Sequence, residues 1–556
     1  MKKTIMIAGA AGGGINTSEL FLERMLKREG FFVLSYKNYM SRVRGGFNYA
    51  TITLGIEMIN SCEEHADIYI ALNQEAFDKS QMMIKRDGII IASDQLKKNS
   101  MDQVENVFWI EQEPLKSVSN SKNAFSMCAI GVVIKKLGLE REMLNGLRLN
   151  KWSEEVNQTN LAASTYGYDL LEGAMIALKT SSKEAHILVN GNQAVALGAI
   201  ASGLGFYSAY PMAPSTGIMT YLAAHEREMG LIVEQAEDEI AAMMAAIGAA
   251  SNGVRAMTGT SGGGFALMVE ALGFAAVSEV PLVVCNVQRP GPATGLPTRT
   301  EQADLAFVVS ASQGEFARIV LAPLTVEDAF YTTFRAFNLA EKYQVPVIIL
   351  TDQFLADSTQ TVPRFKTNTL KIERHLMEAV QKDYKRYDFN QVFGGRKYPG
   401  IDDQTLVMTD SHVHDEYGSV TEDEQMTIAL KNKMIRRIEA IKEELNAPHF
   451  YGAEAYKTLF VCWGSTFGAL KDAVDALNDQ GESVAMLAFS DVFPIKSDVF
   501  KDYLKANVKL INVEGNAYNQ FGKILRMETG ITFDKSINKY DGRPFNSSYI
   551  IESYRK

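Results

Sequence analysis

Four short segments in the middle of the chain carry residue types that could bind a ligand or take part in catalysis. The first is Tyr210–Thr216, in which two prolines stiffen a loop that follows a predicted strand. At the carboxyl edge of a parallel sheet, such a rigid loop is a natural wall of a binding site. The alternative is a plain connection from strand to helix, with Ser215 as the helix N-cap.

The second and third segments follow neighbouring predicted strands. Val233–Glu239 carries a cluster of acids at the start of a long alanine-rich helix. Acids in a first helical turn are ordinarily explained by the helix dipole, but one that faces an apolar cleft would instead hydrogen-bond a ring nitrogen of a bound heterocycle. Thr258–Gly264 contains three successive glycines, which bring the backbone close to either a ligand or a crossing segment.

The fourth segment is Asn286–Arg299, in which Arg289 ends a predicted strand and a loop rich in proline and glycine follows. An arginine held this way suits bidentate capture of a carboxylate, and the alternative is a surface salt bridge. Each segment alone is ambiguous. Their order on successive strand ends predicts that the four segments form one site.

The elements that must position these segments alternate between strands and alanine-rich helices, beginning at Ala185. The predicted strands are Ile187–Val189, Ile232–Glu234, Arg255–Thr258, Leu282–Val287, Ile319–Leu321 and Val347–Leu350. Such alternation predicts a mostly parallel sheet covered by helices.

The first part of the chain opens with a strand, Thr4–Ala8, a glycine turn, Gly9–Gly14, and a helical pattern. This is the opening unit of a nucleotide-binding α/β domain, although the spacing is not GxGxxG and simple packing of strand on helix is the alternative. Further predicted strands are Phe32–Tyr36, Tyr49–Leu54, Ile68–Leu72 and Gly88–Ala92.

A polar, charged stretch covers about residues 361–456 and contains two amphipathic patterns, Ile372–Tyr384 and Met426–Leu445, that predict helices. A third α/β unit follows. Its predicted elements are the strands Thr458–Trp463, Val484–Ala488 and Val508–Val513 and the helix Gly468–Leu477.

The composition restricts the function classes. The chain has 556 residues, enough for three or four domains, with 46% hydrophobic and 22% charged residues and a net charge of −10. This balance excludes global disorder and, without a basic cluster, argues against a nucleic-acid partner. The longest apolar stretches are strand-sized and the start lacks a cleavable signal, so no membrane association and a cytoplasmic location are predicted.

Cys62, Cys128, Cys285 and Cys462 are scattered singly, and no two form a CxxC pair. An iron–sulfur or zinc site within this chain is therefore not expected, nor is any other metal site. If this protein serves redox chemistry, its metal cluster should therefore lie on another polypeptide.

Together the four central segments resemble the α subunit of the 2-oxoacid:ferredoxin oxidoreductases. The Gly9–Gly14 turn, followed by Ser41–Gly46, resembles that family's γ subunit, here fused to the front of the chain. His414–Gly418 and Glu514–Asn516 resemble stretches of the family's C-terminal region. The resemblance covers essentially the whole chain.

The resemblance implies a multidomain α/β protein. The expected domains are a γ-type α/β domain at 1–180, a pyrimidine-binding α/β domain for thiamine diphosphate at 181–360, a polar connecting region at 361–455, and a transketolase C-terminal-like α/β domain at 456–556.

It also implies thiamine diphosphate-dependent oxidative decarboxylation, in which a 2-oxoacid and coenzyme A give acyl-CoA and carbon dioxide while ferredoxin is reduced. A separate β subunit would supply the diphosphate and Mg²⁺ half of the site and a 4Fe–4S cluster, in an assembly of two αβ units. The fused γ–α arrangement favours 2-oxoglutarate, with pyruvate and branched-chain oxoacids as alternatives and the direction of reaction open.

Carried over residue by residue, the resemblance assigns Glu239 to the pyrimidine ring, with Glu237 as the runner-up, and Arg289 to the substrate carboxylate. Further substrate-binding residues are Tyr210, Pro211, Ser215, Thr216 and Thr298. The other cofactor-binding residues are Thr260, Ser261 and Gly262. The coenzyme A region comprises Gly12, Gly14, Arg44, Gly45 and Gly46.

The sequence departs from the family pattern at four positions. Ala213 replaces a threonine of the Tyr-Pro-x-Thr-Pro loop and Gly263 replaces the usual proline, while Ala11 and Gly13 stand where glycine and glutamine are common. Either Ser215 or Thr216 compensates for the lost hydroxyl, or substrate choice has shifted. These departures motivate an alternative function, a catalytically silent scaffold that binds a nucleotide or coenzyme A.

Overall fold

The structure is a computed structural model that describes residues 2–41, 45–97, 104–173, 186–377, 379 and 383–556. Its contacts divide the chain into two compact units. The first comprises Met1–Val189 with Ser358–Arg364, and the second comprises Asn190–Asp357 with Phe365–Lys556.

The helices and strands follow one another closely along the chain. Strands β1–β7 are Lys3–Ala11, Phe32–Asn38, Gly45–Gly55, Ala66–Ala71, Ile84–Ser93, Val107–Ile110 and His186–Asn190. Helices α1–α7 are Ile15–Arg28, Gln74–Asp78, Ser80–Met83, Asp94–Lys97, Gln112–Val118, Ala124–Lys136 and Glu154–Asp169. Strands β8–β14 are Phe206–Ala209, Ile232–Gln235, Ala256–Thr260, Leu282–Gln288, Ile319–Leu321, Pro346–Asp352 and Thr359–Pro363.

The remaining elements complete the second unit. Helices α8–α15 are Gly191–Ala201, Thr216–Met229, Glu239–Ser251, Gly262–Leu267, Val269–Val277, Leu305–Ser310, Val326–Tyr343 and Gln353–Asp357. Helices α16–α19 are Glu424–Glu444, Thr466–Asp479, Gln520–Thr529 and Ser547–Arg555. Strands β15–β20 are His449–Gly452, Thr458–Trp463, Val484–Phe489, Asp491–Phe493, Lys509–Glu514 and Lys535–Asn538. Short 3-10 helices cover Arg141–Gly146 and Thr367–Thr369.

The first unit is built on a sheet of eight strands in the order β6-β5-β4-β1-β3-β2-β14-β7. β1 is parallel to β4 and antiparallel to β3, and α1 packs its apolar side chains, among them Phe21 and Leu22, into the core of the unit. The strand predicted at Ile187–Val189 joins this eight-stranded sheet and not the seven-stranded one. Within the first unit, the His186 ring contacts the Phe32 ring edge-on, with 4.6 Å between their centroids. A strand pattern alone carries no information about which sheet the strand will join.

The second unit contains a seven-stranded sheet in the order β18-β12-β13-β11-β10-β8-β9. The neighbours from β12 to β9 are parallel, and β10, β11 and β13 are completely buried. Burial on both faces explains their nearly continuous apolar sequences, which is the pattern of a parallel sheet covered by helices. At one edge the antiparallel strand β18 comes from beyond residue 490.

The same unit contains a five-stranded sheet in the order β15-β17-β16-β19-β20. One hydrophobic cluster includes buried residues from this sheet, such as Trp463, and from the seven-stranded sheet, such as Ile348. The two sheets therefore share a core. The limits of the four domains predicted from the sequence remain predictions.

The polar stretch before β15 holds one of its two predicted helices. The pattern at Met426–Leu445 coincides with α16, but the prediction of a helix at Ile372–Tyr384 is wrong for its described residues. Around 376 the backbone pairs with Arg396, whose N–H donates to His375 O at 2.9 Å and whose carbonyl accepts from Met377 N at 3.0 Å. This tertiary pairing overrides the local periodicity.

Within the described ranges, none of the helices combines the length and the apolar character needed to cross a bilayer.

Candidate active site

The four sequence segments meet at one edge of the seven-stranded sheet. β8, β10 and β11 are parallel neighbours, so their carboxyl ends lie at the same edge. The loop Tyr210–Thr216 follows β8, and Arg289 follows β11. The three successive glycines of Thr258–Gly264, called the central glycine turn, follow β10. α10, which carries the acidic cluster, begins close to this edge.

The three acids at the start of α10 have different environments. Asp238 is the N-cap and accepts a hydrogen bond from Ala241 N at 2.7 Å, so the start of the helix explains this acid without a ligand. Glu237 is exposed, whereas Glu239 is only 3% exposed. Among the described residues, Glu239 Oε1 has no hydrogen-bond partner. A buried oxygen of this kind is available to a ligand.

The central glycine turn makes room for the Glu239 carboxylate. A β-carbon at Gly264 would lie 2.5 Å from Glu239 Oε1 and 2.1 Å from Thr260 Oγ1. Both distances are far below van der Waals contact, so a side chain here would force the carboxylate out of its position. The glycine run predicted to bring backbone close to a ligand or a crossing segment thus brings it against the acid that begins α10.

Replacing Gly264 with alanine should therefore lower about tenfold the activity that the resemblance implies, because Glu239 must move. Gly263→Ala is the matched control in the same turn, since its β-carbon would meet nothing closer than Ala293 O at 3.9 Å. The activity of both variants should be measured together with the expected β subunit, with thermal midpoints as a check on folding. Equal turnover in the two variants would contradict the steric argument.

The proline loop contacts the central glycine turn through Met212. Ser261 Oγ donates to Met212 Sδ at 2.9 Å, and Thr260 Oγ1 lies 3.8 Å from the same sulfur. Ser215 occupies the N-cap position of α9, but its side chain makes no capping bond and instead donates to Met212 O at 2.8 Å. The predicted cofactor residues and the predicted substrate loop are thus in direct contact.

Arg289 contacts the other side of the same loop. Its Nη1 donates to Ala213 O at 2.8 Å. Burial lowers the pKa of Arg289, and the nearby negative charge of Asp304 opposes that shift. The bond to Ala213 uses a backbone carbonyl, so the replacement of threonine by alanine leaves this contact intact.

Asp304 is a site residue that the sequence motifs did not indicate. Its Oδ2 would lie 2.4 Å from a β-carbon at Gly262, and it accepts a bond from Asn286 Nδ2 at 3.3 Å. Burial raises the pKa of Asp304 to about 6, opposed by the Asn286 hydrogen bond and by Arg289. The run of polar residues between Thr298 and Asp304, directly after the proline- and glycine-rich loop, was the available signal.

The raised pKa of Asp304 makes a contribution to stability that depends on pH. The folded pKa of about 6 exceeds the ordinary aspartate value of 3.8, so the folded state binds more protons between these values. The associated stability is complete below about pH 4 and is lost as the pH rises through 6. Asp304→Asn should remove this loss, so its thermal midpoint relative to wild type should rise by a few degrees from pH 4 to pH 7.

Asp403→Asn, which changes an exposed aspartate, serves as the control for this titration. Its midpoint relative to wild type should stay nearly constant over the same range. A constant difference for Asp304→Asn as well would remove Asp304 from the titrating groups of the site.

The other predicted substrate residues lie in the first and fourth of the central segments and differ in exposure. Tyr210 is 40% exposed, Pro211 and Thr216 are partly buried, and Thr298 is 9% exposed. Their contacts with a ligand remain predictions.

The predicted coenzyme A region lies in the first unit. Ala11, in the N-terminal turn Gly9–Gly14, pairs with Gly45 across β1 and β3. The turn Gly9–Gly14 and the glycine pair Gly45–Gly46 are therefore neighbours. Gly12 and Gly14 have φ values of +85° and +98°, and Gly45 and Gly46 have +76° and +73°, which favour glycine. Arg44, also predicted for this region, lies outside the described residues.

Asn48 is a further residue of this region that the sequence motifs did not indicate. Its Nδ2 donates to Gly45 O and Gly46 O, each at 3.2 Å, and its Oδ1 accepts from Met40 N at 2.7 Å. These bonds hold the backbone of the second glycine motif in place.

Comparison with known proteins gives two family matches. A model described as pyruvate flavodoxin/ferredoxin oxidoreductase, thiamine diphosphate-binding, matches residues 197–437. A second, described as pyruvate ferredoxin/flavodoxin oxidoreductase, matches residues 4–170. The first match includes all four segments of the candidate site.

Relatives and a solved structure agree with these matches. The chain is 32% identical to a 2-oxoacid:ferredoxin oxidoreductase subunit alpha of Sulfolobus sp, covering 100% of this chain and 97% of that one. It is 34% identical to the 2-oxoglutarate synthase subunit KorA of Methanocaldococcus jannaschii, over 56% of this chain and 84% of that one.

A structure of 2-oxoglutarate:ferredoxin oxidoreductase from Magnetococcus marinus, with 2-oxoglutarate, coenzyme A and succinyl-CoA bound, superposes with a TM-score of 0.92 at 30% identity. The alignment covers 100% of this chain and 99% of that one. With the site geometry and the family matches, this establishes that the chain belongs to the α subunits of the 2-oxoacid:ferredoxin oxidoreductases.

Proposed function

We propose that this oxidoreductase subunit takes part in the oxidative decarboxylation of 2-oxoglutarate with coenzyme A, giving succinyl-CoA and carbon dioxide and reducing ferredoxin. The observation that carries the proposal is the buried Glu239 carboxylate, whose Oε1 has no partner among the described residues. The resemblance to an enzyme with 2-oxoglutarate and coenzyme A bound supports the choice of substrates. Pyruvate and branched-chain oxoacids remain the alternatives.

The site fits the aminopyrimidine ring of thiamine diphosphate. Glu239 Oε1 is a buried acceptor without a hydrogen-bond partner among the described residues, and Gly264, which has no β-carbon, leaves room for the Glu239 carboxylate. Glu239 would hold and exchange a proton at a ring nitrogen, while Thr260, Ser261 and Gly262 would contact the cofactor. Bound thiamine diphosphate supplies a nucleophilic carbon that also accepts electrons, which the side chains of this chain cannot do.

Arg289 would orient the substrate. Its guanidinium is already fixed by the bond from Nη1 to Ala213 O and has further N–H groups for a carboxylate. Tyr210, Pro211 and Thr298 would line the same pocket. Ser215 already donates to Met212 O, which leaves Thr216 as the better candidate to replace the hydroxyl lost at Ala213. Glu237, exposed, is the weaker candidate for the cofactor.

A second polypeptide would complete the site. The exposed side of α10 presents Ile240 and Met244, which are 50% and 42% exposed, and the edge strand β9 presents Ile232 at 60%. Exposed apolar side chains beside an unpaired strand edge are typical of a surface that a partner covers. We propose a β subunit here that carries the Mg²⁺–diphosphate half of the site and a 4Fe–4S cluster, passes electrons to ferredoxin, and forms a dimer of αβ units.

The first unit would bind coenzyme A. This region contains four glycines that have positive φ and no β-carbon of their own, Gly12, Gly14, Gly45 and Gly46, so a phosphate group can approach their main-chain N–H groups closely.

We further propose that the chain acts in the cytoplasm, where single cysteines stay reduced. We also propose that its domain limits are near residues 180, 360 and 455.

The test is reconstitution with the partner subunit. The assembled pair, supplied with thiamine diphosphate, Mg²⁺ and coenzyme A, should reduce a viologen dye with 2-oxoglutarate at a higher kcat/KM than with pyruvate or a branched-chain oxoacid. A preference for another oxoacid would replace the proposed substrate. An assembled pair that binds coenzyme A but turns over none of the oxoacids would favour the silent scaffold.

A further inference from the structure

The five-stranded sheet has a crevice of the kind that binds ligands in other α/β proteins. In this sheet β16 lies between β17 and β19. The chain runs from β16 through α17 to β17 on one side, and β19 comes later and lies on the other side of β16. In parallel sheets, ligands bind outside the carboxyl ends of the two strands where the strand order reverses, here β16 and β19. Gly464 and Gly515 follow these two strands.

A side chain of the same polypeptide occupies this crevice. Gln302, only 2% exposed, lies between the two glycines, and β-carbons there would approach its Nε2 and Oε1 to 3.0 Å each. Its Oε1 accepts from Thr466 Oγ1 at 2.8 Å and from Gly515 N at 2.9 Å, and its Nε2 donates to Trp463 O at 3.1 Å. Gln302 thus makes the contacts that a polar ligand would make.

The backbone around Gln302 is held by the same sheet. Gln302 N donates to Gly515 O at 2.7 Å, and Gln302 O accepts from Asn516 Nδ2 at 3.0 Å. Gln520 continues this contact, since its Nε2 donates to Ala303 O at 2.6 Å and its Oε1 accepts from Ala306 N at 2.9 Å. The segment 302–306 is therefore fixed at several successive residues.

This segment belongs to the candidate active site. Thr298 lies four residues before Gln302, and Asp304 lies two residues after it, beside Gly262 and bonded to Asn286. Asp304 N also donates to Gln288 Oε1 at 2.9 Å, directly before Arg289. A displacement of Gln302 would be passed along the chain to the residues proposed to bind the 2-oxoacid.

We propose that Gln302 is a positioning residue, which uses the strand-end crevice of the five-stranded sheet to hold the substrate-binding segment 298–304 in place. The proposal rests on the proposed function for the identity of the substrate. It gives the five-stranded sheet a role in substrate affinity, although none of its own side chains is assigned to the substrate.

Three variants test this role in the assembled enzyme. Gln302→Ala removes all three side-chain bonds and should raise the KM for the 2-oxoacid about tenfold, while kcat and the thiamine diphosphate requirement stay within about threefold. Thr466→Val removes one bond to Oε1 at nearly constant volume and should raise KM about threefold without impairing folding. Gln313→Ala, which changes an exposed glutamine after α13, is the control and should leave KM unchanged.

Gln302→Glu adds a readout that a merely structural role would not move. The glutamate can still accept from Thr466 and Gly515, but its second oxygen, when ionised, repels Trp463 O. Protonation restores a donor at that atom. The KM defect of this variant should therefore shrink toward wild type as the pH is lowered, whereas the defect of Gln302→Ala should not.

Hydrogen–deuterium exchange provides a test that does not depend on activity. In Gln302→Ala and Thr466→Val, amides of residues 298–306 should exchange at least about threefold faster, while those of β16 stay protected. Unchanged exchange in this segment would overturn the proposal whatever the activity. Faster exchange with an unchanged KM would overturn the positioning role, whereas a wild-type assembly inactive toward every oxoacid would contradict the proposed function alone.

Discussion

Replacing Glu239 with glutamine should lower the kcat of the assembled enzyme about 100-fold or more, the effect expected when a group that exchanges a proton in the reaction is removed. Glu239 is buried and its Oε1 has no hydrogen-bond partner among the described residues, so this oxygen is available to a ring nitrogen. Glutamine keeps the shape of the side chain but cannot exchange a proton there. The thermal midpoint should therefore change little while turnover falls.

Glu237→Gln is the matched control, because Glu237 is an exposed acid two residues earlier in the same cluster. Its turnover should stay within about twofold of wild type, as for most exposed substitutions. Viologen reduction measures kcat for both variants, and calorimetry measures thiamine diphosphate binding. The opposite pattern, with normal turnover in Glu239→Gln and a large loss in Glu237→Gln, would transfer the role to Glu237.

The meeting of the four central segments could be predicted because it depends on a simple rule. Tyr210–Thr216, Thr258–Gly264 and Arg289 each follow a strand, and parallel strands end at the same edge of a sheet. The alternation of strands and helices was sufficient to predict a mostly parallel sheet, although no bounds were predicted for β8. No knowledge of individual side-chain contacts was needed.

The contacts that complete the site could not be predicted in the same way. Asp304 and Gln302 are single polar residues in an irregular segment, and their importance arises from partners far away in sequence, Asn286 and the glycines after β16 and β19. The choice between Glu237 and Glu239 also depended on which of the two side chains is buried, and the spacing of the acids in the sequence does not show that. The absence of a helix in the described part of Ile372–Tyr384 has the same origin, because backbone pairing with Arg396 replaced local hydrogen bonds.

Replacing Arg289 with alanine should lower kcat/KM for every 2-oxoacid by roughly 30-fold to several thousand-fold, because losing the partner of a desolvated carboxylate costs about 2–5 kcal/mol. Arg289 is partly buried directly after β11, and burial lowers its pKa, which reflects a guanidinium that has lost part of its hydration. A carboxylate bound there would replace part of the missing hydration. The loss should appear mainly in KM and be measured by viologen reduction over a range of oxoacid concentrations.

Arg289→Lys separates charge from geometry. Lysine keeps a positive charge but lacks the fork that can bond a carboxylate with two N–H groups while a third holds Ala213 O, so it should recover only part of the lost activity. Since Arg289→Ala also frees the loop Tyr210–Thr216, thiamine diphosphate binding must be measured in parallel. Unchanged cofactor affinity with a raised KM would assign the effect to the substrate carboxylate, whereas normal oxoacid kinetics in Arg289→Ala would remove this residue from the substrate site.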